Sequence, residues 1–176
     1  MLADIEYFKL EVEAAIEKAR SHLLTLDDQL ELPDYHATVV GCIITAEIGL
    51  FFHVGDGLGA AVYENDWQGC TLTLPANGEF SDQTYFYTQQ NWQHHLRFSQ
   101  FDPQAQYIIL MSDGTMSFAA AKQLQGLESN FFEPVSKYLE QNTAELGVKA
   151  VESTLDSQKT YRITTDDKTL LWAKRQ

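Results

Sequence analysis

The stretch Tyr107–Phe118, which reads Y-I-I-L-M-S-D-G-T-M-S-F, constrains the fold more than any other part of the chain. Its first five residues are apolar without interruption, which is typical of a short strand buried on both faces. Ser112-Asp113-Gly114 ends the strand, and Thr115 is expected to cap a following helix. Asp113 is therefore held at the end of a buried strand, either as a metal ligand or as half of an Asp-Gly turn.

Length and charge limit the classes of protein to which the chain can belong. Its 176 residues suffice for one domain with a full core, so residues 1–176 are expected to form a single domain. The 12 basic and 25 acidic residues give a net charge of −13, which argues against nucleic acid or an anionic membrane surface as a partner. An acidic chain that handles phosphate must supply positive charge through metal ions or well-placed arginines.

Cysteine usage and the distribution of apolar residues predict a cytoplasmic protein. Cys42 and Cys70 are too few for a disulfide framework, and we expect reduced, buried thiols. The first nine residues include acidic ones and do not resemble a signal peptide. No apolar run approaches the roughly 20 residues needed to span a bilayer.

The spacing of apolar residues predicts helices at both ends of the chain and strands between them. The helices are expected over residues 3–24, 116–124, 128–141 and 144–155, with Pro134 in the first turn of the third. Strands are expected over residues 37–45, 48–54, 58–63, 69–74, 84–88, 96–101 and 107–112, with a closing hairpin over 160–164 and 169–174. Segregated elements of this kind favour an α+β fold with antiparallel sheets.

Three aspartates share one local pattern, an apolar strand followed by an acid with small or polar neighbours. They are Asp56 in F-F-H-V-G-D-G, Asp113, and Asp166 in T-T-D-D-K-T-L-L. If the strand ends align, the carboxylates converge, and a hard metal ion with oxygen ligands would neutralise them. Aspartate is common at strand ends, so each position alone is a weak signal.

Four segments in this order resemble the metal-dependent type 2C Ser/Thr protein phosphatases, the PPM family. They are A-T-V-V-G (37–41), F-H-V-G-D-G (52–57), I-L-M-S-D-G-T (109–115) and T-D-D-K-T-L-L (165–171), and residues 78–88 resemble a connection in bacterial members. The resemblance implies an α-β-β-α sandwich of antiparallel sheets flanked by helices. It also implies hydrolysis of phosphoserine or phosphothreonine on a phosphoprotein substrate.

The resemblance assigns metal ligands residue by residue. Asp113 and Asp166 match the aspartates that ligate one of two catalytic metals, and Asp167 stands where the family usually has Asn. Asp56 matches an aspartate that in some members helps to hold a third, weaker metal. Mn²⁺ or Mg²⁺ fits such all-oxygen ligation, and the metals would activate a water molecule as nucleophile.

The chain also departs from the family. The phosphate-binding arginine and the Asp-Gly-x-Gly-Gly segment of the family have no counterpart before Ala37. We therefore expect a phosphatase of weak or no activity, a catalytically dead binding or regulatory module, or a fragment of a longer, mis-started gene product. A fold without its first strands would leave a sheet edge uncovered, and a homodimer through that edge is one way of covering it.

Other candidate residues are better explained by structure than by function. His94 and His95 are adjacent, so in an extended segment they point to opposite faces, and a surface loop is the better interpretation. His53 is expected to be a packed strand residue. Ser112 lacks the surrounding motif of a nucleophile. The tryptophans, Trp67, Trp92 and Trp172, are expected in the core or at its rim.

Overall fold

The computed structural model describes residues 2–76 and 84–176, the side chains of residues 2 and 3 excepted. Its helices and strands in chain order are α1 (Leu2–Leu23), β1 (Val39–Ile44), β2 (Gly49–Val54), β3 (Leu58–Val62), β4 (Thr71–Thr73), β5 (Arg97–Phe101), β6 (Tyr107–Met111), α2 (Asp113–Ala119), α3 (Ser129–Gln141), α4 (Ala144–Leu155), α5 (Gln158–Tyr161) and β7 (Leu170–Lys174). These elements form two compact units, Met1–Gly57 with Thr73–Pro103 (unit 1) and Leu58–Leu72 with Gln104–Gln176 (unit 2). The single domain expected from the length stays a prediction.

Unit 1 packs the long helix α1 on a three-stranded antiparallel sheet. The strand order is β1-β2-β5, and the predicted hairpin pairs Val39 with Val54 through Ile44 with Gly49. Val12 and Ile16 of α1 join Val54 and Trp92 in a buried apolar cluster. The apolar stripe of the helix therefore faces the core, as its periodicity predicts.

Unit 2 is built around β6, the strand predicted to be buried on both faces. All five of its residues are buried, and it lies between β3 and β7 in an antiparallel sheet of order β4-β3-β6-β7. Trp67 stacks on Phe132 of α3 at 5.3 Å between ring centroids and on Tyr107 at 5.1 Å. Helices again cover an antiparallel sheet, so the predicted α+β class is confirmed.

Three local predictions about the second half of the chain are wrong. The predicted strand over residues 160–164 is instead the helical turn α5 with its flank, so no closing hairpin forms. The helix after β6 begins at Asp113, and its N-cap is Ser112 rather than Thr115. Pro134 lies in the second turn of α3, not in its first.

Residues 84–88, predicted as a strand, form only an isolated bridge at Thr84. One backbone bond, from the Tyr87 amide to Ala37, and side-chain contacts hold this segment: the hydroxyl of Thr88 lies 3.0 Å from Nδ1 of His36, and the ring of Phe86 stacks on that histidine. Most of the connection that resembles bacterial family members, residues 78–83, lies outside the described residues.

Over the part of the chain that is described, none of the helices combines the length and the apolar character that a bilayer crossing needs.

Candidate metal centre

The pairing of β6 with β7 brings two of the predicted ligands to one end of the unit 2 sheet. The strands are antiparallel, and Met111, the last residue of β6, pairs with Leu170, the first residue of β7. The residues that follow β6 therefore lie beside the residues that precede β7. Asp113 belongs to the first group, and the turn that contains Asp166 belongs to the second.

Hydrogen bonds from Ser112 fasten these two segments together. Its amide donates to the carbonyl of Thr169 over 3.1 Å, and its hydroxyl accepts from the Thr169 amide over 2.9 Å. The same hydroxyl donates to the carbonyl of Asp167 over 3.1 Å. Thr115 adds a fourth bond from its hydroxyl to the Thr169 carbonyl, at 3.0 Å. These four bonds, which we name the Ser112–Thr169 clamp, hold the start of α2 against the Asp166 turn.

Gly114 shows how closely the two segments approach each other. A Cβ atom built on this glycine would lie 2.4 Å from the carbonyl oxygen of Asp167 and 3.1 Å from Cβ of Asp166. Real Cβ atoms do not come so close to backbone, so a side chain here would push the Asp166 turn away. The Asp-Gly pair is therefore part of a packed junction and not only a turn.

The carboxylates of Asp113 and Asp166 are each oriented by a neighbour. Oδ1 of Asp113 accepts the Gly114 amide over 2.8 Å at the start of α2. Oδ2 of Asp166 accepts the hydroxyl of Thr164 over 2.8 Å. The ammonium of Lys168 donates to the carbonyl of Asp166 over 3.0 Å and lies 4.1 Å from the ring centroid of Tyr161.

Asp56, the third predicted ligand, belongs to unit 1. Its Oδ2 accepts the hydroxyl of Thr84 over 2.5 Å. The preceding Gly55 has φ +108°, and a Cβ there would lie 2.3 Å from Cγ2 of Thr38, so the turn requires glycine. The convergence of Asp56 with Asp113 and Asp166 stays a prediction.

Buried His53 and half-buried Arg97 form a pair beside the Asp56 turn, which the sequence analysis did not predict. Nη2 of Arg97 lies 3.2 Å from Nδ1 of His53 and donates to the carbonyl of Gly55 over 3.3 Å, while Nη1 donates to Leu74. Because a guanidinium can only donate, Nδ1 accepts and the proton of His53 lies on Nε2. Burial and the charge of Arg97 lower the pKa of His53 to about 4, so the ring is neutral. Only the cross-strand register, which pairs His53 with Arg97, could have predicted the contact.

His53 is fully buried in β2, and Trp67 and Trp92 are core residues, as predicted. The Ser112 hydroxyl is engaged in the clamp, and the expectation that it is not a nucleophile stays a prediction. His94 and His95 lie in a short 3-10 turn, and the ring of His95 stacks on Tyr85 at 3.6 Å.

The described side chains provide only some of the oxygen ligands that a hard cation needs. Within residues 2–76 and 84–176, no group of three or more His, Cys, Asp or Glu side chains is placed to hold a metal ion. The clamp brings the Asp113 and Asp166 segments together, and carboxylates are ligands that Mg²⁺ and Mn²⁺ accept when water completes the shell. The described residues thus offer one such ion two carboxylates at most and do not assemble a two-metal centre.

Helices on antiparallel sheets, with aspartates at strand ends, define an α+β protein with a candidate site for one hard cation. A family model described as Protein phosphatase 2C matches residues 4–156. That range is more than half of the chain, which therefore belongs to the protein phosphatase 2C family. Asp56 and Asp113 lie inside the matched range, and Asp166 lies beyond its end.

Two solved structures of the phosphatase domain of the cell fate determinant SpoIIE from Bacillus subtilis, one presoaked with Mn, are similar to the chain. The identities are 17% and 19%, and the TM-score is 0.39 in both cases. The similarity covers 92% of this chain but 65% and 64% of those chains, so this chain spans less than two thirds of their length. A comparison with curated proteins found no match.

Proposed function

We propose that the chain is a metal-dependent Ser/Thr phosphatase-like domain that acts on phosphoserine or phosphothreonine in a phosphoprotein, with weak turnover or none in this form. The observation that carries the proposal is the family match over residues 4–156, which includes the Asp113 segment. The Ser112–Thr169 clamp supports it, because it fixes that segment beside the Asp166 turn.

Asp113 and Asp166 are the residues proposed to hold Mn²⁺ or Mg²⁺, and Asp56 is proposed to help to hold a further metal that binds more weakly. When bound, such an ion would polarise the phosphoryl group and lower the pKa of a water molecule. The chain contributes by keeping its carboxylates in place before the ion arrives. Gly114, which permits the close approach to the Asp166 turn, and Thr164, which orients the Asp166 carboxylate, share that task.

Weak turnover is proposed because the positive charge that a phosphate needs is scarce. Arg97 donates to the carbonyls of Leu74 and Gly55. Arg20, which is 8% exposed, donates to the carbonyls of Tyr87 and Gln89. Both guanidiniums hold backbone together, so neither is free to bind a phosphate without breaking these bonds. Two carboxylates with water also bind a hard cation less firmly than a full set of protein ligands.

The alternative is a catalytically dead phosphatase-like module that binds or regulates a partner protein. It is favoured because, among the described residues, no three His, Cys, Asp or Glu side chains are placed together to hold a metal ion. Under either alternative we propose a cytoplasmic location. Cys42 and Cys70 are both free, and burial raises the pKa of the Cys70 thiol to about 11.

Phosphate release from a phosphothreonine peptide, measured with the 176-residue chain at saturating Mn²⁺, tests the proposal. We expect slow release that is lost in Asp113→Asn and kept in Asp28→Asn, an exposed aspartate that does not belong to the candidate site. No release from any variant would favour the dead module. Release that Asp113→Asn leaves unchanged would contradict the assigned site.

A further inference from the structure

β7 presents an unpaired edge in unit 2. Among the described strands it pairs only with β6. At the two ends of the pair, the Ser112 amide donates to Thr169 and the Arg175 amide donates to Gln106, so residues 169, 171, 173 and 175 turn their backbone groups toward β6. Hydrogen-bonding direction alternates along a strand. The amides and carbonyls of Leu170, Trp172 and Lys174 therefore face away from the sheet, in the arrangement that accepts another strand.

An apolar groove of about 720 Å³ lies against this edge. Its floor includes the side chains of Leu170 and Trp172, and its wall is α4, with Val151, Leu155 and the acidic pair Glu152 and Asp156. Val148 of α4 also lines the groove and is 66% exposed, which is high for an apolar side chain. The groove and the edge thus form one surface, which we name the β7 surface.

Charge on the β7 surface is divided between strand and groove. Residues 169–176 carry Lys174 and Arg175 and no acidic residue, although the whole chain has a net charge of −13. The groove is lined by Glu152 and Asp156, both exposed, and by Lys168, so its charged side chains are acidic on balance. A basic strand beside an acidic groove is complementary to a second copy of itself, since a two-fold axis places each strand against the other groove.

We propose that the β7 surface binds a second copy of this chain, with the two β7 strands antiparallel about a two-fold axis at Trp172. In this register the residues with outward backbone groups pair with one another: Trp172 with Trp172 of the second copy, and Leu170 with its Lys174. Each of the three pairs exchanges two hydrogen bonds. Directly paired residues share a face of the sheet, so the Lys174 side chain of the second copy lies over Leu170, which lines the same groove as Glu152 and Asp156.

Two features of the isolated chain oppose this contact, and both are small. Lys174 lies 3.1 Å from Glu140. That pair is partly exposed, and such pairs contribute at most about 1 kcal/mol, so Lys174 can change partners at low cost. The charge of −13 on each copy repels the other at long range. At physiological ionic strength this repulsion is screened beyond about 8 Å, so the association is tested in physiological salt.

Sedimentation velocity of the 176-residue chain over a concentration series, with Lys174→Pro and Lys174→Ala, tests the proposal. The proline removes an outward amide and leaves the β6 ladder intact, whereas the alanine keeps that amide and removes the same ammonium group. We expect a concentration-dependent dimer for the parent chain, a weaker dimer for Lys174→Ala, and a monomer for Lys174→Pro. A parent chain that stays monomeric, or a dimer that Lys174→Pro leaves intact, overturns the proposal.

A charge reversal keeps the test decisive if Lys174→Pro does not fold. Glu152→Lys places a cation in the groove to which the second copy brings Lys174. We expect the dissociation constant of the dimer to rise at least tenfold. Glu11→Lys makes the same charge change on α1 and does not line the groove, so it should leave the dimer as it was. Equal effects of the two charge reversals on the dimer would overturn the proposal. Binding of another peptide, or of a longer form of the chain, to the β7 edge in place of the second copy would also overturn it.

Discussion

Ser112 and Thr169 are bonded to each other twice. The amide of Ser112 donates to the carbonyl of Thr169, and the amide of Thr169 donates back to the hydroxyl of Ser112. In a regular antiparallel pair the second bond would go to the Ser112 carbonyl. The hydroxyl takes that place, and it also reaches the carbonyl of Asp167. One side chain thereby sets the distance between the start of α2 and the turn that carries Asp166.

Replacing Ser112 by alanine removes the acceptor of the Thr169 amide and the donor to Asp167. We expect the free energy of unfolding to fall by about 0.5–1.5 kcal/mol, because two exposed backbone groups exchange their protein partner for water. Mn²⁺ affinity should fall about tenfold, since the ligand segments are no longer held together. Urea unfolding and calorimetry measure the two effects.

The control for Ser112→Ala is Ser117→Ala on the same helix. Ser117 makes one weak bond, from its hydroxyl to the Asp113 carbonyl over 3.4 Å. Its loss should change the free energy of unfolding by less than about 0.5 kcal/mol. If Ser112→Ala loses stability but binds Mn²⁺ as tightly as the parent chain, the clamp is structural and does not position ligands.

Gly114→Ala tests the close approach of α2 to the Asp166 turn. The added methyl group meets the backbone carbonyl oxygen of Asp167 and Cβ of Asp166, and neither atom can move away by rotation of a side chain. We expect a loss of about 2 kcal/mol in the free energy of unfolding from this overpacking, measured by urea denaturation.

Gly147→Ala in α4 is the matched control for Gly114→Ala. Its methyl group meets only Cδ2 of Leu139, at 2.7 Å and at the end of a flexible side chain. The gain in helix propensity, up to about 1 kcal/mol, should offset the repacking. Equal losses from both substitutions would mean that the junction at Gly114 is looser than the structure shows.

His53 makes the stability of the fold depend on pH. Its pKa falls from 6.5 in the unfolded chain to about 4 in the folded protein, through burial and then through the charge of Arg97. Between about pH 4 and pH 6.5, His53 binds a proton in the unfolded chain but not in the folded protein. The stabilisation is therefore complete above pH 6.5 and is lost as the pH falls toward 4, by up to about 3 kcal/mol.

Substitution of His53 by glutamine should remove that pH dependence while keeping an acceptor for Arg97. Urea unfolding at pH 7, 6, 5 and 4.5 gives the slope for the parent chain and for His53→Gln. His94→Gln is the control, because His94 is exposed and should leave the slope unchanged. Parallel slopes for the parent chain and His53→Gln would contradict a neutral, buried His53.

The sequence predicts β6 and its aspartate well, because an unbroken apolar run leaves few alternatives to a buried strand. Residues 160–164 show why other predictions failed. Threonine favours strands, yet the hydroxyl of Thr160 donates to Leu155 over 2.6 Å, and the Ser157 hydroxyl accepts the Thr160 amide over 3.3 Å. These side-chain bonds to backbone stabilise a helical turn, and nothing in the residue types alone distinguishes the two outcomes.

The sequence likewise predicts some residues of the candidate site and not others. Asp113 and its glycine follow from local pattern, and the neighbourhood of Asp166 follows once β7 is known to pair with β6. The clamp could not be predicted, because it depends on the register that sets Ser112 opposite Thr169. The contact of His53 with Arg97 depends on register in the same way. Sequence patterns identify such residues one at a time, and the fold decides which of them meet.

Calorimetric titration of the 176-residue chain with Mn²⁺ tests the central claim, that Asp113 and Asp166 hold one hard cation. We predict weak binding of one ion per chain, lost in Asp113→Asn and in Asp166→Asn and kept in Asp28→Asn. Binding of two ions with high affinity would contradict the expectation that the chain holds a single ion weakly. Absence of binding, or binding that both substitutions leave unchanged, would contradict the site itself.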